Sequence, residues 1–185
     1  MARDFDGTND NLTTADDAVG GIDVDQVSVA MWVISDDTSG FIWTDAISIA
    51  AGNARRRVTA DAPITAGWTF HFQQSWGNTG DWRTNDLTLG QLYHVVATYD
   101  RSGAAPGNDP VIYVDGTSVT VTEGTTPTGT VLTGNDTIRF GENPGGTLDF
   151  DGTILSPCVD GGTLWTAAEV NRHRWWGCAP GGPST

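Results

Sequence analysis

Two tryptophans stand close together in a run of turn-forming residues, Trp76-Gly77-Asn78-Thr79-Gly80-Asp81-Trp82-Arg83. Flat indole rings stack on sugar faces, and Asn78, Asp81 and Arg83 carry donors and acceptors suited to sugar hydroxyls. The same residue types also anchor loops or fill protein–protein contacts, where Trp and Arg are favoured. Arg55-Arg56-Arg57 is the one local run of positive charge in an acidic chain. It reads either as a solvated strand face or as a contact for a partner's carboxylates. Trp175 and Trp176 follow a basic stretch and precede Cys178. Adjacent side chains at a helix end cannot both face one core, so this pair predicts a partner contact.

Carboxylates are the other candidates. Asp4 with Asp6, and Asp149 with Asp151, each share a strand face, as a glycoside hydrolase pair would. Outward carboxylates on an acidic surface are far commoner than catalytic ones, so no catalytic residue is assigned. No Ser/His/Asp order, phosphate loop or dinucleotide fingerprint is present. His71 and His94 fall on strands and read as core or cross-strand residues. Cys158 and Cys178 are the two cysteines. A bridge between them would close a loop of about 20 residues, worth about 3 kcal/mol in the chain-entropy model; the alternative is two unpaired thiols. No Cys/His cluster supports zinc.

Composition narrows the partners. The 185 residues carry 9 basic and 23 acidic side chains, a net charge of −14. All the basic residues are arginine, which reads either as adaptation to high salt or as GC-rich coding. That charge balance argues against nucleic acid and against an anionic membrane surface, both of which call for clustered cations. No apolar run approaches the ~20 residues of a membrane span. If Met1 is the native start, no cleaved signal peptide precedes the domain. The expectation is one domain over 1–178, with a Pro/Gly-rich tail at 179–185.

The elements that must position these side chains are short strands. Val27 to Val33 alternates with period two. Phe41 to Trp43 and Ala46 to Ala50 form a hairpin or a bent strand. Arg55 to Thr59 and Trp68 to Gln73 form a further pair, and Leu92 to Tyr99 is a central strand. Asp115-Gly116 between Val111–Val114 and Thr117–Val121 is a type I′ hairpin signal. Thr137 to Phe140 and Thr147 to Leu155 complete the strands. One helix follows, with Thr166 and Glu169 as a capping box, Trp165 stapled to Val170, and Gly177 as its stop. Asp4-Phe5-Asp6-Gly7-Thr8 recurs as Asp149-Phe150-Asp151-Gly152-Thr153, two solutions of one edge-of-sheet problem.

The ordered set resembles the laminin-G-like branch of the concanavalin A-like jelly rolls. Its carriers are Phe5-Asp6-Gly7, Trp32-Val33, Gly90 to Asp100, Tyr113 to Gly116, Ile138 to Gly141, Phe150 to Ile154 and Leu164 to Glu169. The resemblance implies an all-β antiparallel jelly-roll sandwich with one short C-terminal helix. It also implies a calcium ion held by an acidic residue of the opening segment, matched by Asp10. At the family's second calcium position stand Leu155-Ser156, so Asp151, Asp160 and loop carbonyls would have to substitute; the alternative at Asn9, Asp10 and Asn11 is Asx-turn chemistry. The leading expectation is a non-enzymatic structural or adhesion module on a virion surface, as a capsid decoration or tail-associated protein assembled in the host cytoplasm. Its partners would be other virion or capsid proteins, or copies of itself as a homo-oligomer. The alternative is a carbohydrate-binding lectin-like module for host or glycan attachment, extracellular by a leaderless route. A glycan hydrolase ranks third.

Overall fold

The computed structural model describes residues 2–8, 10–15, 25–48, 53–75, 78–102, 108–129, 137–142 and 149–177. Thirteen strands and one helix run in the order β1 (Ala2–Asp6), β2 (Leu12–Ala15), β3 (Gln26–Ser35), β4 (Gly40–Ser48), β5 (Asn53–Asp61), β6 (Thr69–Gln74), β7 (Gly80–Arg83), β8 (Tyr93–Asp100), β9 (Val111–Val114), β10 (Thr117–Val119), β11 (Thr122–Thr125), β12 (Thr137–Phe140), β13 (Asp151–Gly161) and α1 (Ala167–Trp176). They form a six-stranded sheet, β1-β13-β3-β8-β9-β10, and a seven-stranded sheet, β11-β7-β6-β5-β4-β12-β2. All pairings between named strands are antiparallel, as a jelly-roll sandwich requires.

Period-two alternation drives the packing. On β3, Val27, Val29, Met31 and Val33 point inward; on β8, Val95, Ala97 and Tyr99 do the same. They meet Val58, Phe70, Phe72 and Trp82 of the second sheet in one core. The two echoing segments are themselves neighbours. β1 pairs with β13, placing Asp6 opposite Asp151 and Phe5 opposite Gly152. Phe5 and Phe150 touch edge to face with centroids 6.2 Å apart. Gly152 has φ 144°, and a Cβ there would lie 2.1 Å from the Ile34 carbonyl oxygen, so only glycine fits.

Of the two readings offered for the segment around Phe41 to Trp43, the bent strand holds: residues 40–48 form one strand with register shifts against β5. Strand β13 runs on past Leu155 through Ser156-Pro157, because a register shift between Leu155 and Cys158 absorbs both residues. Ser156 takes φ 47°, and Pro157 sits where the ladder needs no N–H. The hairpin turn behaves as its sequence signals, with φ 51° at Asp115 and 81° at Gly116.

The helix covers the outer face of the six-stranded sheet. Thr166 and Glu169 cap each other reciprocally, and the Gly177 N–H closes on the His173 carbonyl at 2.8 Å. Val170 is fully buried with Ala30, Val96 and Cys158, and Trp165 and Tyr113 pack against this second apolar cluster. Two histidines bind helix to sheet at the same joint. His94 Nε2 lies 2.8 Å from His173 Nδ1, and His173 Nε2 lies 3.1 Å from the Ser156 carbonyl oxygen. Trp32 flanks His94 and Trp165 flanks His173, at centroid distances of 5.1 and 5.4 Å. Both histidines are thus cross-element packing residues, as the strand position of His94 suggested. Cys158 is disulfide-bonded; the chain's one other cysteine, Cys178, lies outside the described residues. Among the described residues, no helix is long and apolar enough to cross a membrane.

Candidate functional site

With α1 over one sheet, the outer face of the other is the surface to inspect. Register sets Arg57 opposite Gln73 and Gln73 opposite Asp81; one step along, Thr59 faces His71 and His71 faces Arg83. Val58, Ala60, Phe70, Phe72 and Trp82 are buried inward. Alternation therefore puts Arg57, Thr59, Asp61, His71, Gln73, Asp81 and Arg83 on one outward face of β5, β6 and β7.

These side chains are wired together. Arg57 Nε donates to Gln73 Oε1, and Gln73 Nε2 donates to Asp81 Oδ2 at 3.4 Å. Asp81 Oδ1 contacts His71 Nε2, and His71 Nδ1 lies 2.9 Å from Asp61 Oδ2. The chain Arg57–Gln73–Asp81–His71–Asp61 thus fixes the rotamers of two carboxylates and one guanidinium. Burial pushes the Asp81 carboxyl up, but the hydrogen bond and charge of His71, then Gln73 and Arg83, more than offset it and hold it below the usual carboxylate value. Burial likewise draws the Arg57 pKa down, against the attraction of Asp81 and Asp61.

Beside this arc, on the side toward β4, lies a shallow depression of about 250 Å³, lined by Ser39, Gly40, Arg57, Thr59, Ala60, Asp61 and Gln73. Thr59 is 7% exposed, and its hydroxyl has no hydrogen-bond partner. On the same face, Arg83 Nε is buried and equally unpartnered. An unsatisfied buried polar group costs about 1–3 kcal/mol. Two such groups beside a preformed polar arc are what a hydroxyl-bearing ligand would satisfy.

The residues singled out from sequence fall in different places. Asp81, Arg83 and Arg57 join the face. Asn78 is exposed beyond its edge, with its N–H bonded to the Thr128 carbonyl at 2.8 Å. Trp76 and the Arg55 side chain lie outside the described residues. Trp82 is corrected: β7 is a strand, its alternation turns Trp82 inward, and the ring is fully buried against Phe72 and Tyr99 with Nε1 2.7 Å from Asp109 Oδ1. So placed, the ring is a core residue and presents no open face. Arg56 is corrected as well. It is fully buried on the inner side of β5, donating from Nε to Gln74 Oε1 at 2.9 Å, and offers no partner contact. Trp175 and Trp176 are 73% and 80% exposed, with the Arg174 guanidinium 5.6 Å from the Trp175 ring.

Asp10 and Asp151 do not assemble a calcium donor set among the described residues. Asp10 receives the Arg3 guanidinium at 3.4 Å and the Asp6 N–H at 3.3 Å, so both oxygens are engaged. Asp151 stands opposite Asp6 in the β1–β13 ladder. No group of three or more His, Cys, Asp or Glu side chains is placed to hold a metal ion among the described residues.

Thr59, Asp61, His71 and Gln73 went unmarked as site residues in the sequence. Their signal was the alternation Arg57-x-Thr59-x-Asp61 beside His71-x-Gln73, polar positions interleaved with apolar ones. That pattern shows a polar face; only the register makes it a site.

A family model described as the concanavalin A-like lectin/glucanases superfamily matches residues 6–157. Among curated proteins, none matches the chain in sequence. Solved structures share the fold at low identity. A native heptameric SAP-like pentraxin from Limulus polyphemus superposes with a TM-score of 0.65 at 17% identity, over 93% of this chain and 80% of that one. The mouse laminin alpha1 chain, domains LG4-5, gives 0.58 at 18% identity, over 89% of this chain and 43% of that one. The CBM40 domain of the Ruminococcus gnavus IT-sialidase, bound to alpha2,6 sialyllactose, gives 0.59 at 8% identity, over 92% and 96%. At these identities the likeness is one of fold.

Proposed function

We propose that this chain, which belongs to the concanavalin A-like lectin/glucanase superfamily, is a carbohydrate-binding module whose ligand lies on the outer face of β5, β6 and β7. One observation carries the reading: the buried, unpartnered Thr59 hydroxyl in a depression rimmed by side chains already locked in place. Preorganised donors and acceptors lower the ordering cost of binding. A neighbour solved with bound sialyllactose supports it only as far as the fold's capacity to hold a sugar, since at 8% identity it says nothing of which sugar. Binding without turnover is the simpler reading, because Asp81, held below its ordinary value, is unsuited to be the protonated general acid of a glycosidase, which needs a raised pKa.

Removing one ligand hydrogen bond costs about 0.5–1.5 kcal/mol, and about 1.5–3 where a charge takes part. Thr59→Val, isosteric and without the hydroxyl, is therefore expected to weaken glycan binding several-fold by isothermal titration, with an unchanged circular-dichroism spectrum. Full affinity in both Thr59→Val and Asp61→Ala would sink the assignment of this face.

A structural module on a virion surface is the second reading. Two neighbouring tryptophans, 73% and 80% exposed at the end of α1, favour it as an assembly contact. It predicts a fixed copy number on purified particles, lost in a Trp175→Ser/Trp176→Ser variant that still melts normally. Particles that never contain the protein would exclude it.

A further inference from the structure

We infer that the glycan recognised by this face is uncharged, an inference that rests on the carbohydrate-binding reading above. An acidic sugar needs a cation that is not already matched by a carboxylate. The depression offers one guanidinium, Arg57, and one carboxylate, Asp61. Arg57 is not in surplus: its Nε is committed to Gln73, and it feels the opposing charges of Asp81 and Asp61. The second cation of the face, Arg83, acts electrostatically on Asp81. Charged side chains on the described face thus balance, two arginines against two aspartates, with His71 held between the two carboxylates.

What the face has left over is neutral hydrogen-bonding capacity. The Thr59 hydroxyl can donate and accept. The Arg83 Nε–H can donate. Asp61 commits Oδ2 to His71, and its carboxylate is about half exposed at the rim. Sugar hydroxyls both donate and accept, so each of the three groups suits one: Thr59 and Asp61 in the depression, and Arg83 two strands away on the same face. A carboxylate or sulfate ester, which only accepts, would satisfy Thr59 and Arg83 but would stand against Asp61. The whole chain, at −14, adds a repulsive field to any polyanion.

The experiment has two arms. In the first, the full chain is titrated with neutral polysaccharides (arabinan, galactan, xylan and a mixed-linkage glucan) and with anionic ligands (polygalacturonate, heparin and sialyllactose), each in 50 and 500 mM NaCl. Expected is binding to at least one neutral glycan, weaker or no binding to the anionic set, and less than a twofold change with salt. In the second, Asp61→Asn is titrated with the best ligand. A neutral ligand loses affinity, because an acceptor is weakened. An anionic ligand gains affinity, because a repulsion is removed. Preference for the anionic set with binding that falls steeply in salt, or a gain in Asp61→Asn, overturns the inference while leaving the carbohydrate-binding reading standing. Binding to neither set overturns both.

Discussion

The histidine joint between α1 and the six-stranded sheet makes a quantitative prediction about acid stability. His94 is fully buried, and its Nδ1 has no hydrogen-bond partner. The hydrogen bonds assign the protons. His173 Nε2–H donates to the Ser156 carbonyl, which leaves His173 Nδ1 to accept from His94 Nε2–H. His94 Nδ1 is then a bare nitrogen in a dry pocket. Protonating it would create a buried donor with no acceptor, beside His173 and Arg174. Burial first, then the charges of His173 and Arg174, push the His94 pKa down to about 3. Burial also draws His173 down, against the Ser156 hydrogen bond.

An unfolded histidine titrates at about 6.5. Between that value and about 3, the unfolded chain takes up a proton that folded His94 refuses. The stabilising effect is complete above pH 6.5 and is lost as pH falls, at about 1.4 kcal/mol per unit. From pH 7 to pH 5 the loss from His94 alone is about 2 kcal/mol, a fall of about 4–8 °C in Tm for a domain of this size. The perturbation is His94→Phe, which keeps a flat ring and removes the titration. The readout is the slope of Tm against pH, since the variant also loses the bond to His173 and starts from a different level. Asp81, Asp86, Asp100 and Glu169 are all shifted below their ordinary values. They act mainly below pH 5 and leave the chosen window to histidine. Equal slopes in wild type and His94→Phe would refute the reasoning.

Three further outcomes follow from the packing. Arg56→Ala opens a hole beside Gln74 and strips a buried hydrogen bond, so it should cost about 3–5 kcal/mol, read as a lower urea midpoint with an unchanged m-value; a shift under 1 kcal/mol would place Arg56 outside the packed interior. Reduction of the Cys158 disulfide should lower stability by about 3 kcal/mol for a loop of about 20 residues, measured by melting with and without dithiothreitol. EDTA should leave Tm unchanged, given the engaged oxygens of Asp10; a fall would reveal a calcium site.

The sandwich was legible because alternation, the Asp115-Gly116 turn and the Thr166–Glu169 capping box are local signals, each readable within a few residues. The wired polar face was not, because it depends on pairings between distant residues: Arg57 meets Gln73 16 positions on, and His71 meets both Asp61 and Asp81, each 10 away. Composition misled at β7. Gly-Asn-Thr-Gly reads as loop, yet four residues from Gly80 to Arg83 extend the sheet, and one step of alternation sends Trp82 inward and Asp81 outward. Residue type placed Asp81 and Arg83 on the polar face, but it could not give the direction of Trp82, which the strand turns into the core.

The two outer faces are built for different work, and the arginines show the division. On the six-stranded side, α1, Cys158 and the two histidines seal the surface. Elsewhere arginines answer carboxylates within the chain: Arg3 meets Asp10 at 3.4 Å, Arg101 meets Asp25 at 3.2 Å and Arg139 meets Glu142 at 2.5 Å. Arg57 feels the charges of Asp81 and Asp61 at longer range, and Arg83 acts on Asp81. These described cations are matched within a chain at −14, so they add little positive surface of their own. What the chain presents is polar and charge-balanced at Thr59, and apolar at Trp175 and Trp176. Recognition at the first must therefore come from hydrogen-bond geometry and at the second from burial of indole surface. Ionic strength should then leave the contact at Thr59 unweakened.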